Sequence, residues 1–205
     1  MKPYYYQNTI SHFLHSDTAD VIGNMMEGDV GFSIQATQLD AWKAQIHILK
    51  EVLPINSGHI FFEFSIPRMG RRVDAILIIK GILFVLEFKV GESEFLTSAR
   101  DQVWDYALDL KNFHETSHQL VIAPILVATE ADITTSTIEF DKHDDEVLVP
   151  INTNKDHLEV VIKTIMDLFS FNDIDGIRWA TGRYSPTPTI IEAAMALYNK
   201  PLSSD

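Results

Sequence analysis

The sequence predicts an α/β protein in which helices cover both faces of a mixed β-sheet. Residues 72–79 and 82–89 are apolar runs joined by a short Lys80-Gly81 turn, which is typical of a β-hairpin. A helical pattern over about residues 94–114 then leads into another apolar run at 120–128. Strands that are almost continuously hydrophobic, with a helical crossover between two of them, indicate a sheet buried on both sides.

The elements before the hairpin follow from spacing and proline. A short helical pattern surrounds Ile10, Phe13 and Leu14, and the glycine-containing residues 23–31 are expected to form a loop. A helix over about residues 38–53 is predicted from apolar residues at three- and four-residue intervals, and Pro54 ends it. Residues 59–66 form a strand pattern that stops at Pro67.

The last third of the chain is more polar. Residues 129–157 hold many Asp, Glu and Thr, with a short edge strand expected at 147–150. Residues 158–169 have the pattern of an amphipathic helix. The proline-containing stretch 185–188 resembles a linker, and residues 189–198 predict a final short helix with an apolar stripe.

Composition limits the class of protein. Hydrophobic residues make up 46% of the chain and charged residues 22%, ordinary values for a globular domain. Without cysteine there is no disulfide framework, no thiolate zinc site and no cysteine nucleophile. No apolar stretch reaches the roughly 20 residues of a membrane span, so we expect a cytoplasmic protein that does not contact membranes. The net charge of −13 predicts weak nucleic-acid binding by this chain alone.

Two acids and a lysine on the predicted hairpin indicate a metal-dependent site. Side chains alternate along a strand, so Glu87 and Lys89 share one face. If the hairpin turns at Lys80-Gly81, Asp74 lies opposite Glu87. Adjacent carboxylates on an apolar hairpin cost free energy unless a cation neutralises them, and oxygen ligands suit Mg²⁺ or Mn²⁺. Lys89 could orient a water molecule or neutralise a phosphate; a chance, solvent-facing Glu-x-Lys pair is the plain alternative.

These residues carry a family resemblance. Asp74, twelve residues and then Glu87-Phe88-Lys89 resemble the D-x(n)-E-x-K signature of PD-(D/E)xK nucleases. Gln102 and Tyr106, one helical turn apart, resemble the Q-x-x-x-Y motif of the RecB-type branch. The resemblance covers about residues 38–128. It implies a restriction-endonuclease-like three-layer sandwich, with an N-terminal extension over 1–37, the nuclease-like domain over 38–183, and a linker and C-terminal helix over 184–205.

The resemblance leaves one acid and the DNA contacts open. Many members carry a further acid on the first helix, which would be Glu51 here. Glu63, which lies between two phenylalanines of the first strand, is favoured. The alternative is that Glu63 is a strand-face acid paired with Arg68 or Arg72. Three arginines beside Asp74 are candidate phosphate contacts, although a solvated loop that balances nearby acids would have the same composition. They are Arg68, Arg71 and Arg72. The tryptophans Trp42 and Trp104 lie on apolar helical stripes and are expected in the core.

A competing motif is present at residues 114–118, which spell H-E-x-x-H. Zinc peptidases need both histidines on one face of a stable helix, a glutamate as general base and a third ligand. Here Thr116 and Ser117 fall where the helix is expected to end, and a strand follows at once. Glu139 is a candidate third ligand that nothing in the sequence brings near.

The expected function is Mg²⁺- or Mn²⁺-dependent hydrolysis of DNA. The alternatives are a nucleic-acid-sensing or regulatory module of the same fold and, more remotely, a zinc peptidase. Nuclease domains of the RecB type are often fused to P-loop ATPases or helicases, so the resemblance also implies a helicase or ATPase partner. Such a partner would supply the basic DNA grip that an acidic domain lacks.

Overall fold

The computed structural model describes residues 2–28, 36–133 and 145–185. Within these ranges the chain forms six strands, six α-helices and one 3₁₀ turn. In chain order they are β1 (Tyr6–Thr9), α1 (Ile10–His15), α2 (Thr18–Gly28), α3 (Ala36–Val52), β2 (His59–Ile66), β3 (Arg71–Ile79), β4 (Ile82–Lys89), α4 (Thr97–Phe113), the 3₁₀ turn (Glu115–Ser117), β5 (Val121–Ala128), β6 (Ile151–Thr153), α5 (Leu158–Leu168) and α6 (Gly176–Ala180).

The strands form a single mixed sheet in the order β1-β2-β3-β4-β5-β6. The pairs from β1 to β4 are antiparallel, whereas β5 runs parallel to both β4 and β6. Helix α4 connects the parallel strands β4 and β5, as the sequence predicts for a helical crossover. The mixed α/β class is therefore confirmed.

Two hydrophobic clusters cover the two faces of the sheet. The first joins α1, α2, α3 and α5 to one face and includes Phe62, Leu77 and Phe84. The second joins α4 and α6 to the other face and includes Ile76 and Val85. Because β3, β4 and β5 are buried on both faces, their sequences lack the alternation of a strand with one wet face.

The N-terminal residues belong to this sheet and its first cluster. Strand β1 pairs with β2, and α1 follows where the sequence predicts a short helix. The predicted loop at residues 23–31 is wrong for its first part, because α2 continues to Gly28. The apolar stripe of Val21, Ile22 and Met25 is buried, and this packing outweighs the helix-breaking tendency of Gly23.

The C-terminal part differs in detail from the prediction. The edge strand is β6, slightly later than residues 147–150; Val147 makes an isolated bridge to Ile122. Helix α5 is confirmed, and α6 is an element that the sequence pattern did not predict. The predicted helix at 189–198 and nearly all of the predicted linker lie outside the described residues. Within the described ranges, no helix combines the length and hydrophobicity needed to cross a bilayer.

Candidate functional site

Strands β3 and β4 separate at the position of the predicted acids. They pair from Ile79–Ile82 to Ala75–Leu86, the register that the Lys80-Gly81 turn predicts. Beyond Ala75, β3 continues alongside β2, while β4 continues alongside β5. Asp74 and Glu87 are the first residues past the last pair, one on each of the two separating strands. We call this point of separation, with Asp74 and Glu87, the fork. Asp74 Oδ2 accepts a 2.7 Å hydrogen bond from the backbone N–H of Phe88. A carboxylate thus takes the place of the backbone carbonyl that would accept this hydrogen bond if the two strands stayed paired.

Glu87 accepts two side-chain hydrogen bonds at the fork. Its side chain is buried, and Oε1 accepts hydrogen bonds from Lys89 Nζ at 2.8 Å and Gln102 Nε2 at 3.0 Å. The other oxygen, Oε2, is buried and has no hydrogen-bond partner among the described residues. Burial raises the pKa of Glu87, although Lys89, Arg71 and the Gln102 hydrogen bond oppose the increase. A buried carboxylate oxygen without a donor is the feature that a bound cation would satisfy.

Helix α4 carries the glutamine and tyrosine that the sequence pairs with this site. Gln102 Nε2 donates to Tyr106 Oη at 2.7 Å as well as to Glu87, so one amide links helix and strand. Tyr106 is 1% exposed, and burial raises its pKa to about 12. The tyrosine is therefore a neutral hydroxyl near pH 7, and it fixes the amide that contacts Glu87.

The electrostatic state of Asp74 follows from its neighbours. Burial raises the pKa of this carboxyl well above its usual range, and repulsion from Glu87 raises it further. The Phe88 N–H and Lys89 lower the pKa, and Glu63 raises it. Without a cation, the ionised pair is thus unfavourable in the folded chain, which is the situation that a divalent ion reverses.

Glu63 occupies a break in the strand beside Asp74. Pairing of β2 with β3 is interrupted between Phe62–Ala75 and Phe64–Val73, which places Glu63 and Asp74 at the break. Phe62 belongs to the first cluster and Phe64 to the second. These two side chains, two residues apart, therefore point to opposite faces of the sheet, and the regular alternation of the strand is interrupted at Glu63. Its φ of 52° is in the left-handed region, at a cost of roughly 1–3 kcal/mol for a residue other than glycine.

Of the two candidate acids, Glu63 is the one whose charge acts on Asp74, whereas Glu51 forms a surface ion pair. Trp42 Nε1 donates to Glu63 Oε1 at 2.8 Å, and the charge of Glu63 acts on Asp74. Glu51, near the end of α3, has a side chain that is 67% exposed and forms an ion pair with His47 at 3.4 Å. The preference for Glu63 as a catalytic acid stays a prediction.

The three predicted arginines have different surroundings. Arg68 Nε lies 3.3 Å from Asp109 Oδ2, and its guanidinium is 3.7 Å from the centroid of the Phe113 ring. The Arg72 guanidinium lies 4.4 Å from the centroid of Tyr5. The charge of Arg71 lowers the pKa of Glu87. Arg71 is thus electrostatically coupled to the fork, whereas Arg68 ties the β2–β3 turn to α4.

The H-E-x-x-H residues do not lie within one helix. Helix α4 ends at Phe113, His114 is its C-cap, and residues 115–117 form a 3₁₀ turn. His114 is 1% exposed, and its Nδ1 lies 2.7 Å from Ser117 Oγ. The two histidines thus do not share one face of a helix. Glu139, the candidate third ligand, lies outside the described residues.

The fork brings two carboxylates to neighbouring strands. Among the described residues, no group of three or more His, Asp or Glu side chains is arranged as a ready-made metal site. Asp74 and Glu87 instead offer two carboxylates, of which Glu87 Oε2 is buried and free of hydrogen bonds from described residues. Two carboxylates with water suit Mg²⁺, which commonly binds through one or two acids and keeps several waters. The residues present therefore fit a hard divalent cation.

Comparison with known proteins gives no match: no family model, no curated protein sequence and no solved structure is similar to this chain. The chemistry is therefore argued from the arrangement itself. One hydrogen-bonded network joins Lys89, Glu87, Gln102 and Tyr106, and Asp74 lies beside it across the fork.

Two aromatic residues near the site were missed as functional candidates. Trp42 is 1% exposed, as a core tryptophan should be, yet its indole N–H contacts Glu63. Tyr5 lies between Trp42, with ring centroids 6.2 Å apart, and Arg72. An acid between two phenylalanines signals that Glu63 needs a polar partner, but spacing alone does not identify an indole on a helix 21 residues earlier.

Proposed function

We propose that this chain is a Mg²⁺- or Mn²⁺-dependent deoxyribonuclease of the PD-(D/E)xK type with a restriction-endonuclease-like sandwich. The observation that carries the proposal is the fork: Asp74 and Glu87 lie on separating strands, and Lys89 Nζ is 2.8 Å from Glu87 Oε1. The buried Oε2 of Glu87, without a hydrogen-bond donor among the described residues, supports cation binding at this point. The RecB-type residues Gln102 and Tyr106 join the same network.

The proposed roles follow from charge and position. Asp74 and Glu87 would hold the cation, which supplies Lewis-acid activation of water and of the scissile phosphate when bound. Lys89 places a positive charge beside Glu87, where it can neutralise a phosphate oxygen and orient the attacking water. Gln102 and Tyr106 hold the Glu87 carboxylate in one orientation, which keeps its second oxygen directed away from their hydrogen bonds.

Substrate contacts are assigned by charge. Arg71 is exposed and electrostatically coupled to Glu87, so it is the strongest of the three arginine candidates for a phosphate contact. Arg72 is exposed as well and rests on Tyr5, where it could contact the backbone of a strand that enters the site. Arg68 has a weaker case, because its charge is already paired with Asp109.

A second protein would help this domain hold DNA. The net charge of −13 opposes binding to a polyanion, because each phosphate contact requires a local positive charge. A helicase or ATPase domain or subunit with a basic DNA track would supply that charge. This partner is proposed from the family resemblance and from the charge balance.

A regulatory module of the same fold is the second candidate, and the acidic charge favours it. In that case the network would sense or bind nucleic acid with little turnover. A zinc peptidase is the remote alternative, since its histidines flank a 3₁₀ turn and His114 is buried.

The test is a cleavage panel with purified protein. Single-stranded DNA, double-stranded DNA and RNA are each incubated with Mg²⁺, with Mn²⁺, or with EDTA. We expect DNA degradation in the incubations with Mg²⁺ or Mn²⁺ and none in the incubations with EDTA. DNA binding without cleavage would instead support the regulatory module. Neither cleavage nor binding, together with stoichiometric bound zinc, would support the peptidase.

A further inference from the structure

The contact between Trp42 and Glu63 joins the core of α3 to the edge of the candidate site. The indole Nε1 donates to Glu63 Oε1 at 2.8 Å. Trp42 is 1% exposed and belongs to the cluster that packs α3 on the sheet, so its ring has little freedom to move. A hydrogen bond from a fixed donor restricts the carboxylate to one orientation.

The backbone of Glu63 reinforces that restriction. Its φ of 52° is a conformation that residues other than glycine rarely adopt, and it persists where surrounding contacts enforce it. The flanking pairs Phe62–Ala75 and Phe64–Val73 bracket the break, so Glu63 lies across from Asp74. The last pair of β3 and β4, Ala75–Leu86, puts Asp74 next to the position of Glu87. Three acids therefore occupy adjacent positions on three neighbouring strands.

We propose that Trp42 is a positioning residue that holds the Glu63 carboxylate beside Asp74 and thereby strengthens divalent-cation binding at the fork. The inference rests on the proposed function, because it assigns a role toward the same cation. Trp42 acts through Glu63 and contacts neither substrate nor the reacting atoms.

The chemistry of the donor explains why an indole suits this position. A lysine or arginine paired with Glu63 would fix the carboxylate but would cancel its charge. A neutral N–H fixes the carboxylate and leaves its negative charge in place, where it attracts a cation. Glu87 differs, because its partner Lys89 is charged and is itself a proposed catalytic group.

The chain offers a matched control for this hydrogen bond. Trp42→Phe removes the indole N–H and keeps an aromatic ring in the core. Trp104→Phe removes an indole N–H on α4 that is buried and makes no hydrogen bond within the described part of the chain. Both variants lose similar ring volume, so a difference between them reports the Glu63 contact.

The experiment measures Mn²⁺ affinity of the full chain by calorimetry or electron paramagnetic resonance, alongside the Mn²⁺ concentration for half-maximal DNA cleavage. We expect Trp42→Phe to weaken Mn²⁺ binding on the order of 10-fold, as loss of a partner that orients a metal-site carboxylate does. Trp104→Phe should bind like the wild type. In a Glu63→Gln background, Trp42→Phe should have no further effect, because the charge that Trp42 positions is already absent.

Three outcomes would overturn the inference: equal Mn²⁺ affinity of Trp42→Phe and Trp104→Phe, additive effects of Trp42→Phe and Glu63→Gln, or a lower melting temperature for Trp42→Phe with unchanged Mn²⁺ affinity. If Trp42→Phe does not fold, the inference is tested instead by an NMR titration of ¹⁵N-labelled wild type with Mg²⁺, which follows the indole N–H resonances. The Trp42 indole resonance should shift while that of Trp179, which donates to Ser117, does not; no shift of Trp42 overturns the inference. Failure of the proposed function is distinct, since the wild type itself would then neither bind Mn²⁺ nor cleave DNA.

Discussion

Lys89 Nζ lies 2.8 Å from Oε1 of Glu87, two residues earlier on the same strand face. Gln102 donates to that same oxygen, so both donors act on one side of the carboxylate. The opposite oxygen is buried and receives no hydrogen bond from a described residue. Glu87 thus has one oxygen held by two donors and one oxygen without a donor, and the proposed nuclease chemistry assigns the second oxygen to the cation.

Neutralising either acid should stabilise the metal-free protein. Burial and mutual repulsion raise the pKa of Asp74, and burial raises that of Glu87. A carboxyl with a raised pKa stabilises the fold below its unfolded pKa and loses that contribution as pH rises through the folded pKa. At pH 7 in EDTA, Asp74→Asn and Glu87→Gln should therefore melt at or above the wild type, by roughly 2–4 °C if about 1 kcal/mol is recovered.

Adding Mn²⁺ should reverse this order of melting temperatures. Mn²⁺ at millimolar concentration should raise the melting temperature of the wild type and leave both variants unchanged, because binding to the folded state stabilises it. Scanning fluorimetry with and without Mn²⁺ measures both effects. Asp167→Asn, on the exposed face of α5, is the control and should follow the wild type. A wild type that ignores Mn²⁺ would contradict the metal site.

The amide of Gln102 should matter for catalysis more than for stability. It donates to Glu87 Oε1 and to Tyr106 Oη, so Gln102→Leu removes the link between α4 and the fork. We expect kcat to fall by about 10- to 100-fold, the usual effect of losing a partner that orients a metal-site ligand. Tyr106→Phe should have a smaller effect and add little to Gln102→Leu. Full activity of Gln102→Leu would show that this network does not orient Glu87.

His114 should make stability depend on pH. Burial, followed by the nearby charge of His118, lowers its pKa from 6.5 to about 4. The unfolded chain therefore binds the proton more tightly, and stability is lost as pH falls from the unfolded pKa toward the folded one. Between pH 7 and pH 5 this loss is about 2 kcal/mol, which urea unfolding can measure. His114→Gln should lose less stability over that interval; the same loss in both proteins would contradict the assignment.

The sheet was predictable because its strands carry strong local signals. The Lys80-Gly81 turn sets the β3–β4 register, and proline residues mark the ends of α3 and β2. β1 and α6 were missed, since Tyr6–Thr9 and Gly176–Ala180 are too short for a periodic pattern and form through tertiary packing. The loop predicted over residues 23–31 was wrong in its first part, because burial of Val21, Ile22 and Met25 extends α2 through Gly23.

The parts of the site that depend on regular strand and helix geometry were predictable. Alternation places Glu87 and Lys89 on one face, and the helical repeat brings Gln102 to Tyr106. The break at Glu63 was not predictable, because an exchange of strand faces leaves no signature in a row of aromatic residues. Its partner Trp42 was assigned to the core, correctly by burial, but the direction of its N–H depends on packing between α3 and β2.

The most direct test of the nuclease proposal is the initial rate of DNA cleavage by Lys89→Ala in Mg²⁺ or Mn²⁺. Because Lys89 is proposed to neutralise charge on the phosphate, we expect a loss of at least about 10²- to 10³-fold with the fold intact by circular dichroism. Asp74→Ala and Glu87→Ala should be as inactive. Lys163→Ala removes a lysine from an exposed ion pair with Glu159 and should retain wild-type activity. Substantial cleavage by purified Lys89→Ala would contradict the central claim.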